Sequence, residues 1–419
     1  MERLYDKLKA YSESDFYAFH MPGHKRNKAL LGIELPYDLD ITEIDGFDDL
    51  HHADGILKEE QERAARVFGA EESHFLVNGS TAGILSAVMG CTHRGDKILV
   101  ARHCHKSIYH AIYMNGLVPR YVYPEFDISM HMNGEISKED VAKALAAEPD
   151  IKAVVIVSPN YDGVVSDVKG IAEVAHSYRI PLIVDEAHGP HFGFHPAFPG
   201  RANDLGADVV INSLHKTLPS LTQTAILHIN GKLANRRRIK KYLDMLQSSS
   251  PSYIFMASLD ACVDFLDGKC EEAFELYVER LQKFREELKP LQHLQILRTE
   301  HYDISKVVIS TANANITSPE LADRLRKEYH LEMEMTGGTY VLAMTTVADT
   351  QEGLDRLKAA LLEIDGQLEA KTAVSESIEI SGELPRLEQY FTPQEAADRE
   401  EDGEAEEIPW KESEGHISL

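Results

Sequence analysis

The chain has 419 residues, 43% hydrophobic and 27% charged, and its formal net charge is −26. That length is ample for more than one domain and a large core, and that charge disfavours nucleic acid and anionic membranes as partners while suiting a cationic one. No apolar run approaches the ~20 residues of a membrane span, the first residues lack a signal core, and Cys91, Cys104, Cys262 and Cys270 show no CxxC spacing. The expectation is a cytoplasmic protein with reduced thiols, without a disulfide framework or a zinc site.

In chain order, residues 1–55 read as an N-terminal arm rich in His, Pro, Gly and Asp, with a short helix near Leu4–Tyr11. From about Gly55 helices and strands alternate. Ile56–Phe68 reads as a helix with its charges on one face, His74–Val77 as a strand, and Ser80–Met89 as a helix that starts at a Gly-Ser-Thr corner. Lys97–Ala101 follows as a strand, Ser107–Asn115 as a helix, Lys152–Ser158 as a strand of β-branched residues, and Val168–Tyr178 as a helix. Pro181–Asp185, Asp208–Asn212 and Thr224–Ile229 are further strands. This alternation predicts a mostly parallel sheet covered on both faces, over residues 56–260, with ligands at the carboxyl ends of its strands.

The stretch from Leu233 to Leu288 is charged and helical, and leads into a smaller α+β domain; together they span 261–366. That domain has strands at Ser305–Ser310 and Tyr340–Thr345 and helices at Pro319–Tyr329 and Gln351–Ile364. Residues 367–419 form an acidic tail. Within it, Glu395, Asp398, Glu400, Glu401, Asp402, Glu404, Glu406 and Glu407 stand against Arg399 alone, a pattern expected of a solvated, flexible linker.

The chemistry centres on Lys216. It follows the strand Asp208–Asn212, and the strand ending in Asp185 lies 31 residues upstream, the length of one crossover. Two neighbouring strand ends would then present an amine and a carboxylate to one pocket. Pyridoxal 5′-phosphate (PLP) requires that pair: a lysine for the Schiff base and an acid for the pyridine nitrogen. Ser213 and His215 flank the lysine and could donate to a phosphate. Asn78-Gly79-Ser80-Thr81-Ala82-Gly83 sits between a strand and a helix, where backbone amides and the macrodipole favour an anion; alone, the corner would also suit a plain helix cap. His103, His105 and His110 lack acid or cysteine partners at metal-site spacing. His105 is the candidate for stacking on the cofactor ring, with capping of the next helix as the alternative. His188, three residues after Asp185, could reach the ring hydroxyl or a substrate carboxylate, whereas His191 and His195 read as loop residues.

Taken together, these residues resemble the fold-type I (aspartate-aminotransferase-like) PLP enzymes, and more narrowly the shorter bacterial branch of the ornithine/lysine/arginine decarboxylase family. The resemblance is carried by Phe19-His20-Met21-Pro22-Gly23-His24-Lys25, Asp40-Ile41-Thr42-Glu43, Asp48-Asp49-Leu50-His51-His52, Asn78-Gly79-Ser80-Thr81, His105-Lys106-Ser107, Asp185-Glu186-Ala187-His188-Gly189, Ser213-Leu214-His215-Lys216-Thr217-Leu218-Pro219 and Ser250-Pro251-Ser252-Tyr253. It implies PLP on Lys216, Asp185 at the pyridine nitrogen, His105 on the ring, Ser80, Thr81, Ser213 and His215 at the phosphate, and His188 near the ring oxygen. It implies decarboxylation of arginine, lysine or ornithine for polyamine synthesis, with Lys216 or a nearby histidine returning the proton. It also implies a homodimer or higher homo-oligomer, with active sites at the subunit interface and Ser250 or Ser252 serving a neighbouring site. Glu407 to Ser418 resembles the lead-in to a C-terminal segment whose Tyr-Pro-Pro-Gly-Ile-Pro-like motif is absent here, so the expectation is a partial C-terminal domain.

Two other readings stand beside it. An aminotransferase on the same fold would clamp the α-carboxylate with an arginine from the smaller domain, for which Arg298, Arg324, Arg326 and Arg356 are available. A catalytically impaired PLP-binding protein would follow from the missing segment. For the distal cation of a basic substrate, Asp45, Asp48, Asp49, Glu332 and Glu334 are the candidate carboxylates, each with surface solvation as its alternative.

Overall fold

A computed structural model describes residues 2–127, 131–297, 301–371, 390–404, 406 and 408. Its centre is a seven-stranded sheet of β1 (Glu72–Leu76), β2 (Lys97–Ala101), β3 (Val118–Val122), β4 (Val154–Val157), β5 (Leu182–Asp185), β6 (Val209–Asn212) and β7 (Ala225–Ile229). The spatial order is β1-β7-β6-β5-β4-β2-β3. Only β7 runs against its neighbours, pairing antiparallel with β1 and β6; the other pairs are parallel.

Strands covered on both faces must be apolar at every position, and β4, β5 and β6 are buried throughout. Alternate residues divide between two cores. Ile98, Val100, Val155, Ile183, Val209 and Ile211 face the helices Gly79–Cys91, Lys106–Met114 and Arg236–Leu246. Leu99, Val154, Ile156, Leu182, Val184 and Val210 face the helices Lys138–Ala147 and Val168–Ser177. The edge strand β3 carries Pro119, which the ladder tolerates only at an edge, and its mixed pattern does not read as a strand in sequence.

The stretch 233–288 resolves into three helices, Arg236–Leu246, Tyr253–Leu266 and Glu271–Glu287. The last buries Phe274, Tyr277, Val278 and Leu281 in the core beneath the large sheet, and Phe284 in that of a second sheet. This second sheet is antiparallel, made of β8 (Gln295–Ile296), β9 (Lys306–Ser310), β10 (Met335–Thr336) and β11 (Tyr340–Met344) in the order β8-β9-β11-β10. Helices Ser318–Tyr329 and Gln351–Asp365 cover it; the first is started by a capping box between Thr317 and Glu320, with Pro319 in its first turn. The N-terminal helix Leu4–Ser12 buries Leu4 and Leu8 against Tyr253–Leu266.

The acidic run departs from expectation. Pro393–Glu401 is a helix, not a linker, opened by a second capping box between Thr392 and Glu395 and lying against Lys106–Met114. Like-charged residues on an exposed helix tolerate one another where solvent screens them, so the caps decide the conformation locally. Glu407 and residues 409–419 lie outside the described residues. No helix among the described residues is long and apolar enough to cross a membrane.

Candidate active site

The adjacent parallel strands β5 and β6 end together, Asp185 paired with Ile211. Ser213 then opens a one-turn helix, Leu214–Thr217, that carries Lys216 back over the strand ends. On the β5 side, the Ala187 N–H donates to Asp185 Oδ1 (3.1 Å), closing a turn that brings His188 round. The Lys216 amine meets His188 Nε2 at 2.9 Å. Carboxylate, amine and imidazole thus share one end of the sheet.

The electrostatics follow from burial. Desolvation pushes the Asp185 carboxyl up, against the opposing pull of Lys216 and the Ala187 N–H. It pushes the Lys216 amine below its ordinary 10.5, with Asp185 opposing and the nearby Lys306 reinforcing. It holds His188 well below 6.5, again reinforced by Lys216 and Lys306. A neutral His188 accepting from Lys216 at Nε2 carries its proton on Nδ1, and that buried Nδ1 has no partner.

A cradle of unused donors lies beside them. Gly79 takes φ +72 to turn β1 into the helix Gly79–Cys91, a conformation that disfavours any side chain. Asn78 gives that helix no side-chain cap, and the Ser80 and Thr81 hydroxyls have no partner among the described residues. The Ser213 Oγ is buried and unpartnered. A buried hydroxyl left unpaired is costly, so Ser213, with the half-buried Ser80 and the exposed Thr81 near the helix start, fits an anion, and with Asp185 and Lys216 the set fits PLP as a whole. His215 fits the phosphate less simply. Its Nδ1–H donates to the Thr224 carbonyl (2.9 Å) and burial lowers its pKa, which leaves Nε2 a lone pair rather than a donor.

His105 takes the capping role that its sequence context allows. Its Nδ1 caps the helix Lys106–Met114 by accepting from the Ser107 N–H (3.2 Å), while the ring stays exposed after the end of β2. Of the candidate carboxylates, Asp48 is consumed by the N–H groups of Asp49, Asp54, Gly55 and Leu57, and Asp49 by that of His51. Glu334 instead accepts from the Tyr161 hydroxyl, whose ring packs 4.6 Å from His188, and its charge reaches Lys216. Arg324 and Arg326 bond to Glu328 and Asp323 of their own helix, and Arg356 donates to the carbonyls of Tyr329 and His330 at the end of the neighbouring one; Arg298 lies outside the described residues.

Sequence reasoning missed a buried network behind the site. His191, expected as a loop residue, bonds through Nδ1 to Thr217 Oγ1 (2.9 Å) and through Nε2 to Asp303 Oδ1 (3.1 Å). Asp303 pairs with the fully buried Lys306. The only signal was the Asp-x-x-Lys spacing at the mouth of β9, which reads as an ordinary solvated strand end.

Comparison with known proteins gives a consistent picture. Residues 3–369 match the family described as Orn/Lys/Arg decarboxylase, major domain. The arginine decarboxylase of Bacillus subtilis is 34% identical over 99% of this chain and 86% of its own length. The solved Francisella novicida lysine decarboxylase LdcF superposes with a TM-score of 0.76 at 20% identity, over 87% of this chain; the match spans only 60% of that longer chain. An alanine–glyoxylate aminotransferase from Nostoc sp. superposes at 0.60 with 15% identity, over 74% of this chain and 86% of its own. The two structural likenesses establish the fold.

Proposed function

This chain belongs to the Orn/Lys/Arg decarboxylase family, and on that premise we propose that it removes the α-carboxylate of a basic amino acid as CO2, using PLP. The observation that carries the reading is the meeting of Lys216, His188 and Asp185 at one sheet end, beside hydroxyls that have no partner.

When bound, the cofactor supplies an electron-withdrawing ring that stabilises the charge left on Cα. The residues divide the remaining work. Lys216 holds the aldehyde carbon, and its depressed pKa raises the fraction present as the nucleophilic neutral amine. Asp185 pairs with the pyridine nitrogen, and a cation there would offset the burial that raises its pKa. Ser80, Thr81 and Ser213 would donate to the phosphate, His215 would lie near it, and the exposed His105 ring would be available to the cofactor ring. His188, neutral and bonded to the Lys216 amine, takes up or returns a proton at Nζ.

Arginine is the first-choice substrate, ahead of lysine and ornithine. The relative aligned over 99% of the chain is named an arginine decarboxylase, whereas the Escherichia coli constitutive lysine decarboxylase aligns over 68%. The product amine fits a role in polyamine synthesis, and the protein is expected to work in the cytoplasm. A homodimer or larger homo-oligomer is supported by the exposed apolar side chains of Phe16, Tyr17, Phe19, Leu30 and Leu31 in the N-terminal arm.

The test is to supply PLP with arginine, lysine or ornithine and measure CO2 and the amine, with Lys216→Ala as control. Release from arginine that disappears in the variant is the expected result. A Lys216-dependent cofactor spectrum without CO2 from any of the three would overturn the decarboxylase assignment.

A further inference from the structure

Lys306 opens β9 with a side chain that has no solvent exposure. A buried ammonium is tolerated only where it is paired and hydrogen-bonded. Its Nζ lies 3.1 Å from Asp303 Oδ2, 3.4 Å from Ser305 Oγ and 3.4 Å from the His188 carbonyl oxygen. The chain is pressed around it: Gly163 has φ +104, and a Cβ there would come 2.8 Å from Lys306 Cγ.

Two arms run from this ammonium to the amine of Lys216. One passes through the His188 carbonyl to the residue whose ring holds Nζ of Lys216 at 2.9 Å. The other passes through Asp303 to His191 (3.1 Å) and on to Thr217 Oγ1 (2.9 Å), next in sequence to Lys216. Lys306 and Asp303 come from the entry to the four-stranded sheet, whereas His188 and His191 come from the loop after β5 and Thr217 from the one-turn helix after β6 of the seven-stranded one. Asp303 is fully used, since it also accepts from the Ser305 N–H (2.9 Å) and hydroxyl (2.7 Å).

We propose that Lys306 is a positioning residue that fixes the Lys216 amine against His188, making the geometry of the cofactor lysine depend on the smaller sheet. The proposal rests on the reading of Lys216 as the cofactor lysine. Lys306 is sealed from the pocket and does not act on substrate itself. Its charge has a second consequence. The groups that face Lys216 are Asp185, His188, His105, Glu334 and Lys306, and those that face His188 are Lys216, Lys306, Asp303, His105 and the Tyr161 phenol. Within that set the Lys306 cation favours the neutral forms of both.

The test uses Lys306→Met combined with Asp303→Asn, which removes the pair without stranding one charge, and separately Thr217→Val, which cuts one arm and leaves the pair intact. Each full-length protein is reconstituted with PLP and its visible cofactor absorbance is titrated with pH, alongside kcat and KM. The double variant is expected to move the absorbance titration upward by about half a pH unit or more and to lower kcat about tenfold with little change in KM. Thr217→Val is expected to lower kcat in the same way with a smaller spectral shift. A parent with Lys216-dependent absorbance, beside variants that share its titration and kcat, would overturn the role of Lys306 alone. Absence of Lys216-dependent absorbance in the parent would remove the cofactor assignment and this role with it. Should the double variant fail to fold, Thr217→Val decides.

Discussion

The Lys216 amine and His188 Nε2 are 2.9 Å apart, and the charge of Lys216 lowers the affinity of His188 for a proton. Both pKa values are displaced toward the neutral form, chiefly by burial and with Lys306 adding to each. Capture of the cofactor aldehyde by the cofactor-free protein should therefore accelerate with rising pH, as Lys216 loses its proton, with a midpoint below the 10.5 of an ordinary lysine. Stopped-flow absorbance across pH measures it. His188→Ala should retain cofactor binding while kcat falls by about 10²–10⁴.

Asp185→Asn keeps the shape of the site and removes the charge that would hold a proton on the pyridine nitrogen. Cofactor should still load onto Lys216, with decarboxylation slower by on the order of a hundredfold or more. Loading seen by absorbance, together with undiminished turnover, would refute the assigned role.

Ser213→Ala should act with opposite signs on two quantities. Without cofactor, the buried hydroxyl is a polar atom lacking a partner, so its removal should leave thermal stability unchanged or raised. With cofactor, the lost donor to a charged phosphate costs about 1.5–3 kcal/mol, a roughly tenfold to hundredfold weaker Kd. Calorimetry on both forms separates the effects.

Glu186, next to Asp185, is buried and its pKa is pushed up to about 8, although Asn212 and the Ala202 N–H donate to it. A carboxyl whose folded pKa is raised gives stability that is full below about 4.5 and lost as pH rises through about 8. Glu186→Gln cannot ionise. Its melting temperature should be near the parent's at about pH 5 and should exceed it progressively toward about pH 9.

Much of this site was legible because its parts lie at the ends of strongly apolar strands. Asp185 and Lys216 each follow a run of Val and Ile, so their positions at the carboxyl end of a parallel sheet follow from pattern alone. Gly79-Ser80-Thr81 was legible for the same reason. What escaped was tertiary: no local pattern distinguishes the buried Lys306 and Asp303 from solvated charges, since their burial depends on loops more than a hundred residues away. The acidic run was misread because composition outweighed the capping box at Thr392. The His215 hydrogen bond could not be foreseen either, since it is made to a carbonyl of the turn before β7.

The pairing of β1 with β7 bears on biosynthesis. Leu76 lies opposite Ala225, so the strand that leads into Gly79-Ser80-Thr81 finds its neighbour only after about 150 more residues have been made. Until then a nascent chain emerging from the ribosome carries β1 with both sides unpaired, where the folded sheet leaves one, and unpaired strand sides recruit foreign strands. A gene interrupted before the codon for Ile229 should therefore yield insoluble product.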